Sequence, residues 1–264
     1  MVSEPDRVKQ AEPYGLRLDG RTVIVTGASS GLGVQFAEAL ASAGANLVLA
    51  ARRRDRMEAV AARIQGDHAV VACDVVSERD RAEVIQTALD RFGRIDGLVN
   101  NAGAADIRPA LKVSTEDFAR IIDVNLIAPF ALSRDVAMAM RGQRDGAIVN
   151  IASVAGLQPI SWQPMVSYVA SKTGLVGMTR ELASQWGRYN IRVNAICPGP
   201  FPSEMSGSEY ESGPAFEKMR SAVPLQRVGR KGELNCLLLT LLHPANAFMT
   251  GQAIAVDGGL SSSL

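Results

Sequence analysis

A repeated switch of hydrophobic period constrains this chain more than any other feature. Short, continuously apolar runs at 22–26, 46–50, 69–73, 97–100, 147–152, 192–196 and 253–256 read as strands. Between them lie segments with helical apolar spacing, at 34–43, 57–64, 79–92, 118–126 running on towards 140, 167–186 and 233–242. A strand that is apolar throughout must be covered on both faces, the condition of a parallel sheet between helix layers. Crossovers through helices are right-handed. The pattern predicts an α/β fold: a single-domain, doubly wound parallel sheet of Rossmann type, about seven strands with helices on both faces. Residues 18–264 form that domain, after a polar arm at 1–17. One long stretch, 198–229, is rich in Gly, Ser, Pro and Glu. It is expected to be irregular, with a mobile lid around 200–228.

Composition removes several classes of function. Of 264 residues, 47% are hydrophobic, too many for a disordered chain. No apolar run reaches the ~18 residues of a membrane span, and the polar start lacks the apolar stretch of a secretory signal. Lys and Arg number 28 against 27 Asp and Glu, so no global charge favours nucleic acid or an anionic membrane. Cys73, Cys197 and Cys236 have no CxxC spacing, and His68 and His243 are the only histidines, so no metal site is expected. The cysteines read as buried, reduced thiols of a cytoplasmic protein.

The glycines carry more information. The first strand runs into Thr26-Gly27-Ala28-Ser29-Ser30-Gly31-Leu32-Gly33 and then a helix. Glycine permits the tight turn and lets backbone amides reach a pyrophosphate held at the helix N-terminus. Where the second strand ends, an NAD site wants a carboxylate for the ribose 2′-hydroxyl. This chain has Arg52, Arg53 and Arg54 there. Cations at a helix start oppose its dipole unless an anion lies nearby, and a 2′-phosphate would be that anion. NADP(H) is therefore expected over NAD(H). The competing reading is a solvated basic turn paired with Asp55 and Glu58. Asp74, ending the third strand, can accept from an adenine amine or serve as a helix N-cap.

A second group lies at the end of the fifth strand. Ser153 stands there, and Tyr168 and Lys172 follow in Tyr-Val-Ala-Ser-Lys. An i,i+4 spacing puts phenol and ammonium on one helix face. Tyrosine titrates near ~10 in water, and a neighbouring cation favours its phenolate. Ser153 can donate to a substrate oxygen as charge develops on it. Asn125, an amide among apolar residues, needs a partner and could hold a water that links Lys172 to solvent. Each has a blander reading: a surface helix pair, a turn serine, a core amide that bends its helix.

Together these residues resemble the short-chain dehydrogenase/reductase superfamily, in its shorter branch with Thr-Gly-x-x-x-Gly-x-Gly and Tyr-x-x-x-Lys motifs, over roughly 18–259. The resemblance implies that Tyr168 is the acid/base and that Lys172 assists it and binds the nicotinamide ribose. Ser153 would orient the substrate, and Asn125 would maintain a proton relay. It further implies that Gly27, Ser29, Ser30, Gly31, Leu32 and Gly33 form the pyrophosphate turn. Asp74 and Val75 would contact adenine, while Asn101, Ala102 and Gly103 would line the cofactor bed. Pro198, Gly199 and Ser203 would lie near the nicotinamide, Ser203 standing where the family usually has Thr. Members are commonly homotetramers or homodimers built through the helices that here cover 128–140 and 168–186. The 1–17 arm matches nothing in the family.

The expected function is an oxidoreductase moving a hydride between NADP(H) and a small-molecule alcohol or carbonyl substrate. The alternative is a non-catalytic NADP(H)-binding redox sensor, which has no need of Asn125, Ser153, Tyr168 and Lys172 together. Epimerases and dehydratases usually carry a larger C-terminal domain than this chain has room for. Gln158, Pro159, Trp162, Gln163 and Pro164 fall at the expected substrate mouth. Trp162, Phe201, Met205 and Tyr210 suggest an apolar or cyclic substrate, with Glu204, Glu209 and Glu211 solvating the lid.

Overall fold

The computed structural model describes residues 15–160, 163–202 and 213–262. Among them seven strands form one sheet: β1 (Thr22–Thr26), β2 (Asn46–Ala51), β3 (His68–Ala72), β4 (Gly97–Asn100), β5 (Gly146–Ile151), β6 (Ile191–Pro198) and β7 (Ala253–Val256). Their order is β3-β2-β1-β4-β5-β6-β7, and each neighbouring pair is parallel. The winding reverses between β1 and β4, and such a reversal opens a crevice at the carboxyl edge of the sheet.

The continuous apolar strands follow from burial on both faces. In β1, Val23 and Val25 join a core with Phe36 and Leu40 of α1 (Gly31–Ser42) and Leu238 and Leu241 of α8 (Asn235–Leu242). Met57 of α2 (Arg54–Ala61) belongs to the same layer. Ile24, between the two valines, joins the opposite layer. That layer also holds Val84 of α3 (Glu78–Phe92), Leu132 and Val136 of α5 (Ala128–Gln143) and Leu182 of α6 (Val166–Trp186). Each such side chain contributes about 1.5–3 kcal/mol by leaving water. A buried polar ladder joins strands to helices beside this layer. Asn100 Nδ2 donates to Asn150 Oδ1 and to Ser133 Oγ of α5, and Asn150 Nδ2 donates to Thr179 Oγ1 of α6, each at 2.9 Å.

Three expectations are corrected. The helix expected from 118 towards 140 is two helices, α4 (Thr115–Ile122) and α5, joined by a π turn at Asp123–Ile127. Pro129, in the first turn of α5, has no N–H to offer the carbonyl four residues back, that of Asn125, so the regular ladder cannot run through. The stretch expected to be irregular, 198–229, contains α7 (Pro214–Ala222), started by Gly213 at φ 101° and Pro214. Its short apolar stripe buries Met219, and Val223 follows it into the interior; Gly and Pro on either side hid so short a helix. Cys236 is exposed rather than buried, because Leu234, Leu238 and Leu241 define the inward stripe of α8 and position 236 falls off it. Trp162, Ser203, Glu204, Met205, Glu209, Tyr210 and Glu211 lie outside the described residues. No described helix is long and apolar enough to cross a membrane.

Candidate active site

A cavity of about 1040 Å³ runs along the carboxyl edge of the sheet. Its first half is made of backbone. Gly27 and Gly31 have φ of 67° and 53°, which side chains rarely adopt. A Cβ on Gly27 would lie 2.8 Å from Asn101 Nδ2 and 2.9 Å from Ala102 Cα. One on Gly33 would lie 2.2 Å from the Gly27 carbonyl oxygen, so loop and helix meet with no room for a methyl group. Thr26 holds this junction: its Oγ1 accepts from the amides of Asn101 and Ala102, both at 3.0 Å. Asn101 Nδ2 returns bonds to the carbonyls of Thr26 and Gly27 at 3.0 and 3.3 Å. The N-terminus of α1 has neither a side-chain cap at Ser30 nor an acidic residue in its first turn. Its amides and positive dipole end therefore remain available to an anion.

The three arginines have three fates. Arg54 pairs with Glu58 at 2.8 Å, as the solvated-turn reading expected of that stretch. Arg53 instead turns to the glycine loop, its Nη2 donating to Ser30 Oγ at 3.0 Å and to Ser29 Oγ at 3.3 Å. Arg52 is exposed and borders the cavity. Asp74 is not the cap of α3; Ser77 is, accepting from Asp80 N. The Asp74 carboxylate accepts from Val76 N at 3.2 Å and, with Val75, borders the cavity. Cys73 reaches the same wall, but burial pushes its thiol up to about 12, so it stays protonated at neutral pH.

Side chains make the second half. Ser153 caps the short turn Val154–Gly156, its Oγ accepting from Ala155 N at 3.1 Å. That use of an oxygen lone pair leaves the O–H proton to donate into the cavity. Tyr168 and Lys172 lie one turn apart on α6, with Lys172 Nζ 5.6 Å from the centre of the phenol ring. Lys172 donates to the Ile151 carbonyl at 2.8 Å, and burial pulls its ammonium down to about 8. Cys197, beneath it on β6, is pushed up to about 11 by burial and remains a neutral thiol.

Asn125 stands behind this wall rather than in it. Its Oδ1 accepts from Ala104 N and its Nδ2 donates to Ala104 O, both at 2.8 Å. Nδ2 also donates to Ser171 Oγ at 3.0 Å, and that hydroxyl donates to the Tyr168 carbonyl at 2.7 Å. The side chain thus ties the loop after β4 to the helical turn bearing Tyr168.

Of the expected site residues, Gly27, Ser29, Ser30, Gly31, Leu32, Arg52, Arg53, Asp74, Val75, Asn101, Ala102 and Gly103 border the cavity. Ser153, Tyr168, Lys172, Pro198 and Gly199 border it too. Gly33 and Asn125 sit behind it. Sequence reasoning missed Thr26 and Ser171. Thr26 was visible as the polar end of an apolar strand beside a glycine, whereas nothing local distinguishes Ser171.

The family model for enoyl-(acyl carrier protein) reductase matches residues 27–261. D-threitol dehydrogenase of Mycolicibacterium smegmatis is 34% identical over 249 residues, 93% of this chain and 95% of that protein. A short-chain type dehydrogenase/reductase from Mycobacterium marinum superposes with a TM-score of 0.89 at 32% identity, covering 94% of this chain and 98% of that one. The chain belongs to the short-chain dehydrogenase/reductase superfamily. A gluconate 5-dehydrogenase from Burkholderia cenocepacia, solved in complex with NADP and tartrate, has a TM-score of 0.87 at 31% identity. It covers 95% of this chain and 98% of its own.

This superfamily uses a nicotinamide dinucleotide, and the residues present fit one. Gly27 and Gly33 stand where a Cβ would collide, and the helix end above them is uncapped. Lys172 brings a buried cation to the opposite end of the same cavity.

Proposed function

We propose that this protein is an NADP(H)-dependent alcohol dehydrogenase or carbonyl reductase. The observation that carries the reading is that Ser153, Tyr168 and Lys172 share one cavity with the glycine loop and Arg53. When bound, the nicotinamide ring supplies or accepts the hydride. The chain's own groups handle oxygen and proton. The Ser153 O–H donates to the substrate oxygen and holds it as negative charge grows there. Tyr168 Oη gives a proton to that oxygen in reduction and takes one in oxidation. The Lys172 ammonium favours the phenolate by Coulomb attraction and offers its remaining N–H groups to ribose hydroxyls. Asn125, through Ala104 and Ser171, is a positioning residue for the Tyr168 turn.

Arg53 supports NADP(H) over NAD(H). Its guanidinium lies across Ser29 and Ser30 beside the ends of β1 and β2, where a 2′-phosphate would meet it. The NADP complex of the Burkholderia relative points the same way. A redox sensor without chemistry would need the glycine loop and Arg53 but not a phenol, an ammonium and a serine hydroxyl grouped at the far end. We infer further that the protein works as a homodimer or homotetramer through α5 and α6. The surface of that region keeps Ile127, Phe130 and Met138 exposed at 52%, 41% and 73%. Light scattering on the purified chain tests this, and a monomer at micromolar concentration would refute it.

The functional test is nicotinamide absorbance with a panel of secondary alcohols, polyols, ketones and aldehydes, each run with NADP(H) and NAD(H). Turnover of part of the panel with a preference for NADP(H) is expected. Tight cofactor binding with no turnover of any panel member would favour the sensor.

A further inference from the structure

The turn after β3 walls one end of the cavity. Its Asp74 and Val75 border the space, as do Arg52 and Arg53 at the end of β2. The two strand ends are neighbours, with Cys73 N donating to the Ala51 carbonyl at 2.9 Å. A dinucleotide whose 2′-phosphate meets Arg53 therefore turns its base towards Asp74 and Val75. The first turn of α3 holds both residues in place.

Arg81 stands out in that helical turn. It shares the inward stripe of α3 with Val84 and Ala88 and is 8% exposed. An apolar side chain would suit the position. A guanidinium suits it badly on two counts, as a buried charge and as a cation in the first turn of a helix. Among the described residues it pairs with no carboxylate. Its Nη1 donates to the Val75 carbonyl at 2.8 Å, and its Nε is buried with no partner. Asp80, beside it, grips the preceding residue. One carboxylate oxygen accepts from Asp74 N at 2.9 Å, and the other accepts from Ser77 Oγ at 2.9 Å. The amide of Asp74 and the carbonyl of Val75 are thus both fixed by charged side chains, and charge-assisted bonds are the strong kind.

We propose that Arg81, with Asp80 beside it, is a positioning residue that pins the Asp74–Val75 backbone for the adenosine half of the cofactor, at a cost to the fold. That the ligand is a dinucleotide rests on the function proposed above; that the pair stiffens the turn does not.

The test compares wild type, Arg81→Met, Arg81→Lys and Val84→Ala on the full chain, Val84 being the next residue of the same stripe. Arg81→Met removes the charge and keeps a long side chain. Calorimetric titration with adenosine 2′,5′-bisphosphate should show its Kd raised about tenfold. The KM for NADPH should rise with it, while kcat at saturating cofactor stays within about twofold. Amide exchange across 74–77 should quicken about tenfold, with the glycine loop at 26–33 unchanged. The Tm should hold or rise, because a buried charge has gone. Arg81→Lys keeps a donor and should recover most of the affinity. Val84→Ala should lower Tm and leave Kd alone. If Arg81→Met does not fold, Asp80→Ala frees Asp74 N from the same turn and should raise Kd and exchange about threefold. A lowered Tm with Kd unmoved would make Arg81 merely structural and overturn the proposal. So would an equal loss of affinity in Arg81→Lys, or a kcat that falls along with affinity. A wild type that binds neither NADPH nor the bisphosphate, with exchange at 74–77 still quickened in Arg81→Met, would uphold the pinned turn and sink the functional reading instead.

Discussion

The two halves of the cavity are built from different materials. Around β1 to β3 the site is made of missing side chains and of backbone: Gly27 and Gly33 leave room, and the end of α1 supplies amides. Around β5 and β6 it is made of side chains that are present, Ser153, Tyr168 and Lys172, held by partners behind them. Backbone recognises what every dinucleotide shares, because phosphate oxygens ask only for N–H groups and positive potential. Chemistry on one oxygen needs particular donors at particular atoms. Changes in the first half should therefore act on cofactor affinity, and changes in the second on turnover.

The division can be broken or sharpened by mutation. The largest effect is expected from Lys172→Met, which removes the cation beside Tyr168. Turnover should fall by about 10²- to 10⁴-fold, with a much smaller change in NADPH affinity measured by fluorescence titration. Equal losses in both would blur the two halves. Gly33→Ala should do the reverse. Its methyl group meets the Gly27 carbonyl, and NADPH Kd should rise by about 10²-fold while circular dichroism stays native; an unchanged Kd would mean that the loop has slack. Arg53→Ala should cost about tenfold in kcat/KM with NADPH and little with NADH. A parallel loss with both cofactors would assign Arg53 to loop stability instead.

The smallest effect is on stability. Burial holds the folded-state Lys172 ammonium at about 8 against the ordinary 10.5. Below about pH 8 both states carry the proton, and the fold bears the full cost of a buried charge. Between about 8 and 10.5 the unfolded chain keeps a proton that the folded chain has released, so this contribution to stability rises with pH. The Tm of cofactor-free wild type should gain a few degrees on that of Lys172→Met between pH 8 and 10. Parallel Tm curves would show that the ammonium is better solvated than its burial implies.

The same contrast explains what was legible in the sequence. The inner strands could be read because both of their faces are buried, as Ile24 between Val23 and Val25 illustrates. The glycine loop could be read because a backbone conformation leaves its mark on residue type. Tyr168 and Lys172 could be read because a helix brings i and i+4 together. Contacts that join distant segments left no local mark. The π turn at 123–127 follows from Pro129, but apolar spacing runs through it unbroken. α7 was hidden between Gly213 and Pro224, because the core it serves, Val154 and Leu260, lies elsewhere in the chain. Arg53 was separated from Arg54 only by what each side chain reaches in space.

The most direct test is Tyr168→Phe, with NADPH binding and ketone reduction measured on one preparation. Removal of the hydroxyl alone should leave Kd within about threefold of wild type and cut kcat by about 10³-fold or more. Near-wild-type kcat would take the proton chemistry away from Tyr168, and with it the reading of the cavity as an active site of this kind.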